Sequence, residues 1–441
     1  MVMPDFVDTI YALSSGSGKA GVAVVRVSGP LAGKALQVSC GRLPQPRTAE
    51  HVSVYVSARA VKLDEAIVLW FPGPSSFTGE DVAEFHLHGS LGIIRLFLAE
   101  LGSLSDFRPA EPGEFTRRAL SNGKIDLVGV EGLNDMLAAE TAMQVKQALF
   151  HVDGRASEIF RNWREELIEA GALAEACIDF TDAEGVADAA LPKVRDSVDC
   201  LIKTMTENLN DSERGYLNRE GVRVVLAGPP NVGKSSLLNA IAARDVAIVS
   251  SEAGTTRDVV EVSLDLGGVA VIVSDTAGLR DVVDSHVEQL GIERTRDRLL
   301  HADIVISVAS PGAEWQNTGV DSPTLRIWNK ADIAAPESKT ACDMKVSALT
   351  GEGVEDLLGR LAGMAVKLAG NREPALLVRE RQVQAVKSAI SHLGNALRPG
   401  LPIELLAEEL RRAGRNVGKL TGEVGTEDLL DSIFSKFCIG K

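Results

Sequence analysis

The chain has little with which to build a disulfide framework, a zinc site or a membrane span. Five cysteines (Cys40, Cys177, Cys200, Cys342 and Cys438) are scattered through 441 residues, with no Cys-x-x-Cys pair. That spacing argues against structural disulfides and zinc and fits a reducing cytoplasm. No apolar run is long enough to span a bilayer, so no membrane partner is expected. The first eight residues carry acids and no basic stretch, so no signal peptide is expected. Basic residues are also in deficit: 46 Lys and Arg against 61 Asp and Glu leave a formal net charge of −15. Such a surface does not wrap nucleic acid broadly. Any RNA contact would have to be local, and the basic clusters available are Arg117-Arg118 and Arg411-Arg412 with Arg415.

A chain of this length suggests about three domains at ~150 residues each. Residues 1–122 mix strands and turns. The run Gly21–Ser28 is apolar except for Arg26, a charge that is costly inside a strand unless paired or bound to a ligand. An edge strand with Arg26 in solvent is the plain alternative, and periodicity does not decide between them. Glu84, His86 and His88 alternate on one strand face; without a third ligand at suitable spacing they read as a polar face rather than a metal site. Residues 123–217 turn helical. Val145, Leu149, Val152, Ala156, Phe160, Trp163 and Leu167 form one continuous stripe, and Leu191, Val194, Val198, Leu201, Met205 and Leu209 a second. Residues 218–370 alternate strands and helices, and 371–441 are helical again. The expected fold is thus multi-domain α/β plus α: an N-terminal α+β domain, a discontinuous helical domain, and a doubly wound phosphate-loop domain inserted within it.

The inserted domain holds the densest chemistry. Val222–Ala227 reads as a buried strand, Gly228-Pro-Pro-Asn-Val-Gly-Lys-Ser235 as a glycine-rich loop, and the residues after it as a helix. Strand, loop and helix in that order make a phosphate cradle, with inward N–H groups and a helix N-terminus favouring anions. Lys234 is placed to reach the β- and γ-phosphates and Ser235 to hold Mg²⁺. Asp275-Thr-Ala-Gly278 follows another strand; Asp275 is suited to hold the Mg²⁺ shell through water and the Gly278 N–H to sense the γ-phosphate. In Asn329-Lys-Ala-Asp332, the Asp332 carboxylate can accept both N1–H and N2–H of guanine, a pair that adenine lacks. Ser347-Ala-Leu349 can present a backbone N–H to guanine O6, and Thr256 in Gly254–Asp258 can complete the Mg²⁺ shell. Four such motifs in order at strand ends identify a Ras-like GTPase domain.

The expected GTP contacts are Asn231, Val232, Gly233, Lys234, Ser235 and Ser236; Ser250, Ser251, Glu252, Ala253, Gly254, Thr255 and Thr256; Asp275, Thr276, Ala277 and Gly278; Asn329, Lys330, Ala331 and Asp332; and Ser347, Ala348 and Leu349. Catalysis departs from the usual pattern, because Leu279 stands where many such GTPases carry a water-orienting glutamine. Asn231 together with a Ser250–Thr255 loop could hold a monovalent cation in place of an arginine finger, or Arg257 could serve as a finger in cis; the residue chemistry leaves both open.

Taken with these motifs, Arg26-Val-Ser-Gly29, Phe77-Thr-Gly-Glu-Asp81, Pro112-Gly-Glu-Phe-Thr116, Asn122-Gly-Lys-Ile-Asp-Leu127 and the final Phe437-Cys-Ile-Gly-Lys441 resemble the MnmE (TrmE) family of tRNA-modification GTPases over the whole chain. The resemblance implies an N-terminal domain that dimerises and binds 5-formyltetrahydrofolate or a related folate through Arg26, Glu84 and Lys124, with Lys441 nearby. It implies a K⁺ loop on Asn231, Ser250, Glu252 and Thr255, Mg²⁺ on Ser235 and Thr256, a water-orienting carboxylate at Glu288, and a tail cysteine, Cys438, near the folate. It further implies a cytoplasmic homodimer. With a FAD- and NADH-dependent MnmG-like partner, such a dimer forms a heterotetramer that adds an aminomethyl or carboxymethylaminomethyl group to C5 of the wobble uridine of certain tRNAs. Two other functions compete: a GTP-switched ribosome assembly factor, which should carry an RNA-binding module that is not visible here, and a folate-dependent one-carbon enzyme indifferent to GTP.

Overall fold

The computed structural model describes residues 7–440 except 17, 58, 180–185, 245, 249–260, 276–297, 314, 316–318, 321, 337–341, 371–372, 424–429, 431–432, 435–436 and 438, with the backbone alone at 186–189. The chain forms two compact units: residues 1–134, 157–162 and 417–441 in the first, residues 135–156 and 163–416 in the second.

The first unit is an α+β layer. Its strands are β1 (Thr9–Leu13), β2 (Ala20–Ser28), β3 (Glu50–Val56), β4 (Val61–Phe71), β5 (Val82–Gly89) and β6 (Phe107–Pro109). They pair in the order β3-β4-β5-β2-β1-β6, antiparallel except β1 with β6. Helices α1 (Ala32–Cys40) and α2 (Leu91–Gly102) bury Leu36, Phe97 and Leu101 against Val25, Val27, Val68 and Phe85 of the sheet. The pleat sends alternate residues to that core, so Val25 and Val27 lie inward while Arg26 faces the other side. Because β2 lies between β5 and β1, Arg26 is not on an edge strand. Helices α3 (Glu114–Ser121) and α4 (Leu127–Ala138) follow.

The last described residues belong to this unit. Phe434 and Phe437 bury against Val130 of α4, and Ile439 makes an antiparallel bridge to Pro112. Ser14 Oγ donates to Gly440 O at 2.8 Å. Gly440 sits at φ +96°, and a Cβ there would stand 2.2 Å from Leu13 O, so only glycine fits.

The second unit takes in the end of α4 and continues with α5 (Ala142–Val152), α6 (Arg155–Asp179, of which residues 157–162 group with the first unit), α7 (Val186–Asn210) and α8 (Ser212–Glu220). The continuous stripe expected over Val145–Leu167 is therefore two helices. The break falls at Asp153-Gly154, where Gly154 takes φ +79°, a left-handed turn that no apolar position in the stripe betrays. Then come β7 (Val222–Ala227), α9 (Lys234–Ala242), β8 (Glu261–Leu266), β9 (Val269–Asp275), β10 (Ile304–Ala309), β11 (Thr324–Trp328) and β12 (Met344–Lys345), closed by α10 (Val354–Ala369). The sheet order is β12-β11-β10-β7-β9-β8, parallel except for the β8–β9 hairpin over Gly267-Gly268. This is the doubly wound Ras-like sheet; its buried strands are runs of Val, Ile and Leu, as sheets covered on both faces require. Helices α11 (Glu380–Ala396) and α12 (Ile403–Thr421) complete the described elements, residues 417–421 of α12 grouping with the first unit. No described helix is long and apolar enough to cross a membrane.

Candidate functional site

The nucleotide motifs lie at the carboxyl ends of β7, β9, β11 and β12, where open α/β sheets bind ligands. The phosphate loop turns at Gly228 and Gly233, with φ +150° and +90°. A Cβ at Gly228 would stand 2.2 Å from Val308 O, and one at Gly233 would stand 2.4 Å from Asn329 Nδ2. These two glycines are required by close packing against β10 and the Asn329 loop. Asn231 also takes a positive φ, +63°, uncommon outside glycine but tolerated by asparagine.

Lys234 is 6% exposed and donates through Nζ to Gly228 O at 2.9 Å and Pro229 O at 3.0 Å. Its ammonium thus lies within the curl of the loop. Ser235 Oγ donates to Asp275 Oδ2 at 2.5 Å, joining the start of α9 to the end of β9. A hydroxyl and a carboxylate side by side form an oxygen donor set of the kind that Mg²⁺ takes.

The guanine-reading loops are tied to the phosphate loop. Asn329 Nδ2 donates to Val232 O at 2.8 Å, and Ala348 N donates to Asn329 Oδ1 at 3.1 Å. One buried side chain therefore holds three loops in register. Lys330 Nζ donates to Asn231 O at 2.7 Å, a link that the sequence motifs do not reveal. Ser347 Oγ donates to Asp332 Oδ1 at 2.6 Å and accepts from Thr350 N at 3.2 Å. Leu349, by contrast, is 87% exposed. Val232, Ser236, Ala331 and Ala348 flank these contacts in the same loops. Ser250, Ser251, Glu252, Ala253, Gly254, Thr255, Thr256, Thr276, Ala277, Gly278 and Glu288 lie outside the described residues, as do Cys438 and Lys441.

In the first unit, Arg26 is paired rather than solvated. Its Nη2 and Nε lie 2.8 and 3.0 Å from Glu84 Oε1, and the two side chains are 23% and 16% exposed. Its guanidinium carbon also lies 5.4 Å from the Phe77 ring and 5.8 Å from the Phe115 ring. Lys124 Nζ donates to Pro74 O at 3.0 Å, on the loop that carries Phe77. Arg26, Glu84 and Lys124 are thus gathered around residues 74–79. His86 Nε2 lies 3.4 Å from Glu84 Oε2, whereas His88 Nδ1 lies 2.7 Å from Asp64 Oδ1. The two histidines serve different carboxylates, and no metal-ligand cluster occurs among the described residues.

Of the basic residues offered for RNA, Arg118 is enclosed, whereas Arg411, Arg412 and Arg415 stay exposed. Arg118 is fully buried, in contact with Asp8, Glu80 and Glu114. Arg108 donates to both oxygens of Glu114 at 2.8 and 2.6 Å. Burial pushes the Glu114 carboxyl up, but the bonds from Arg108, Glu111 N–H and Arg118 outweigh it and hold Glu114 below its usual range. Arg411 pairs with Glu408 and Glu175, and Arg412 with Glu408. Sequence spacing missed this because Asp8 and Glu80 lie far from Arg118 along the chain.

A family model described as MnmE helical domain matches residues 127–438, and one described as GTP-binding protein TrmE N-terminus matches residues 9–124. The tRNA modification GTPase MnmE of Beijerinckia indica subsp. indica is 46% identical over 438 residues, covering 98% of this chain and 96% of that protein. The protein of that name from Brucella anthropi is 44% identical over 447 residues, with 98% of each chain covered. The one from Bradyrhizobium sp. is 45% identical, covering 98% of this chain and 99% of that one. Among solved structures, the cytosolic domain of the T. maritima FeoB iron transporter in its GDP form is 21% identical over 45% of this chain and 97% of that one, at a TM-score of 0.23, too low to bear on the fold. With both of its parts matched and such identity sustained from end to end, the chain belongs to the tRNA modification GTPase MnmE family.

Proposed function

We propose that this GTPase uses Mg²⁺ and K⁺ to hydrolyse GTP and, with a flavin-dependent MnmG-like partner, modifies C5 of the wobble uridine of certain tRNAs. The observation that supports the nucleotide half of this reading is the Ser347–Asp332 bond, which ties the carboxylate that would accept guanine N1–H and N2–H to the loop after β12. Mg²⁺ would be held by Ser235 and Thr256, with Asp275 through water, and would neutralise charge on the β- and γ-phosphates. K⁺ would be held by Asn231, Ser250, Glu252 and Thr255, where Leu279 leaves no glutamine. Glu288 would orient the attacking water. Lys234 and the loop N–H groups bind the phosphates, and Asn329 keeps the loops in register while they do so.

The paired Arg26 and Glu84, with Lys124 on the adjacent loop, support a folate site in the first unit, completed by Lys441. A charged pair bridging two interior strands, β2 and β5, is costly as packing alone and suits a ligand with both polar edges and a ring. Cys438 belongs to the same proposal. The working form would be a homodimer in the cytoplasm. The test is deletion of the gene followed by mass spectrometry of tRNA nucleosides. The expected result is loss of the aminomethyl and carboxymethylaminomethyl uridines, and an unchanged wobble uridine would overturn the proposal.

A further inference from the structure

The loop at residues 72–81, between β4 and β5, is tied down through buried polar groups. Thr78 is buried; its Oγ1 lies 2.7 Å from Ser28 Oγ, and its carbonyl accepts from Asn122 Nδ2 at 2.7 Å. Ser28, also buried, donates to Glu80 Oε2 at 2.7 Å. The single Ser28 proton is therefore spent on the carboxylate, and Thr78 donates to Ser28. Glu80 in turn accepts from Arg118 Nη1 at 3.1 and 3.3 Å. Arg118 is fully buried, and its Nη2 donates to Asp8 Oδ1 and Glu114 Oε1 at 2.8 and 3.0 Å. At the two ends of the loop, Gly73 N donates to Asp81 Oδ1 at 2.9 Å and Gly29 N to Asp81 O at 3.0 Å.

These ties fix the backbone from which Phe77 projects. The Arg26 guanidinium stands beside two rings, 5.4 Å from Phe77 and 5.8 Å from Phe115. Phe115 is fully buried, whereas Phe77 is 40% exposed, so of the two rings Phe77 is the one a ligand can reach. Burying a guanidinium among carboxylates is costly as packing alone. Here it anchors a loop that presents an aromatic ring next to the Arg26–Glu84 pair, with Lys124 gripping Pro74 O of the same loop. An accessible ring on a fixed loop beside paired charges suits a planar ring of a ligand. That ring stacks on Phe77 and turns its polar edges to Arg26 and Glu84.

We propose that Phe77 is the aromatic wall of the ligand site in the first unit, and that Glu80 and Arg118 are the positioning residues that hold it there. This rests on the folate reading above and assigns the bicyclic ring of the folate to Phe77. Glu80 does not touch the ligand; it acts through Ser28 and Thr78. Weakening its bonds leaves the loop with several arrangements, of which one presents Phe77 beside Arg26. Apparent affinity then falls by the fraction of molecules in that arrangement.

The experiment uses the full chain carrying Phe77→Leu, Phe77→Tyr, Glu80→Gln or Asn122→Ala. Phe77→Leu keeps apolar bulk without the ring, and Phe77→Tyr restores the ring. Glu80→Gln keeps an acceptor for Ser28 but removes the charge facing Arg118. Asn122→Ala cuts the tie to Thr78 O from an exposed side chain, so it leaves the buried cluster intact. Two quantities are read: affinity for 5-formyltetrahydrofolate, and amide hydrogen exchange over 73–81 without ligand. Phe77→Leu should bind about 3- to 10-fold more weakly at parental exchange rates, with Phe77→Tyr near the parent. Glu80→Gln and Asn122→Ala should bind about 10-fold more weakly and exchange faster by a similar factor. Parental affinity in Phe77→Leu overturns the aromatic wall. Parental affinity and exchange in Glu80→Gln overturn the positioning role, and a lowered melting temperature alongside them makes the cluster a fold element only. A parent that binds no folate overturns the folate reading instead, and exchange over 73–81 still decides whether Glu80 holds the loop.

Discussion

Ser347 Oγ and Asp332 Oδ1 stand 2.6 Å apart, so the loop after β12 holds the carboxylate at the end of β11. A carboxylate held by a hydroxyl loses little freedom on meeting a base. Asp332→Asn replaces an acceptor by a donor. It should weaken GTP about 10- to 100-fold, the worth of a charged hydrogen bond, while xanthosine triphosphate, whose C2 carbonyl can accept, gains. Ser347→Ala should cost less, about 3- to 10-fold. Competition titrations with both triphosphates check this; equal losses for GTP and xanthosine triphosphate would count against a guanine-reading role for Asp332.

The Ser235–Asp275 contact predicts a Mg²⁺ phenotype. Ser235→Ala should slow hydrolysis by about 100-fold or more in Mg²⁺. Nucleotide affinity without the metal should change little, since the loop N–H groups remain. Single-turnover hydrolysis and binding in chelator measure the two; a variant with normal hydrolysis would show that Ser235 holds no metal.

If a monovalent cation replaces the missing glutamine, hydrolysis should run about tenfold or more faster in potassium than in sodium at equal ionic strength. Asn231→Ala should remove the ratio rather than the basal rate. Equal rates in the two salts with the parent protein would dispose of the cation role.

Gly440→Ala tests the tail. A methyl group 2.2 Å from Leu13 O cannot be accommodated without shifting one chain or the other. The first unit should lose about 1–3 kcal/mol, and Ser14→Ala, which removes only the hydroxyl, about 1 kcal/mol. If the folate reading holds, folate affinity should fall with Gly440→Ala while GTP hydrolysis stays. Thermal melts and folate titrations read the two effects.

Glu114 sets an acid limit for the same unit. Its carboxyl is held below the ordinary 4.5, and Asp8 below 3.8, each against the opposing effect of burial. A group that binds protons less readily when folded stabilises fully above its unfolded value. That stability is lost as pH falls through the folded one. Stability should therefore begin to drop below about pH 4.5, and Glu114→Gln should be less stable at neutral pH with a shallower acid limb. Denaturant midpoints across that range measure the slope.

The nucleotide domain was legible because its signals are local. A strand, a glycine loop and the start of a helix lie within about twenty residues, and each later motif directly follows its own strand. The pairing of Arg26 was not legible, since periodicity cannot tell a central strand from an edge; the β5-β2-β1 order decides it. The short strands β1 and β6 gave too few residues for a pattern. Gly154 went unread because Val145, Leu149 and Val152 repeat at helical spacing up to it, although in the structure Val145 and Leu149 are exposed and α5 buries Gln147, Ala148 and His151 instead. Arg118 looked like an RNA contact for want of its partners, and Gln147 carried no signal at all, its partner Ala375 lying 228 positions away.

The patch at Val130 covered by Phe434 and Phe437 has a consequence for synthesis. Residues 9–134 emerge from the ribosome long before the segment that covers them. Throughout that interval α4 shows an apolar surface with no native cover, and Ser14 has no Gly440 carbonyl to bind. A translation product interrupted after the nucleotide domain would keep its GTP site and still be recognised as unfinished, with its first unit open to chaperones and proteases.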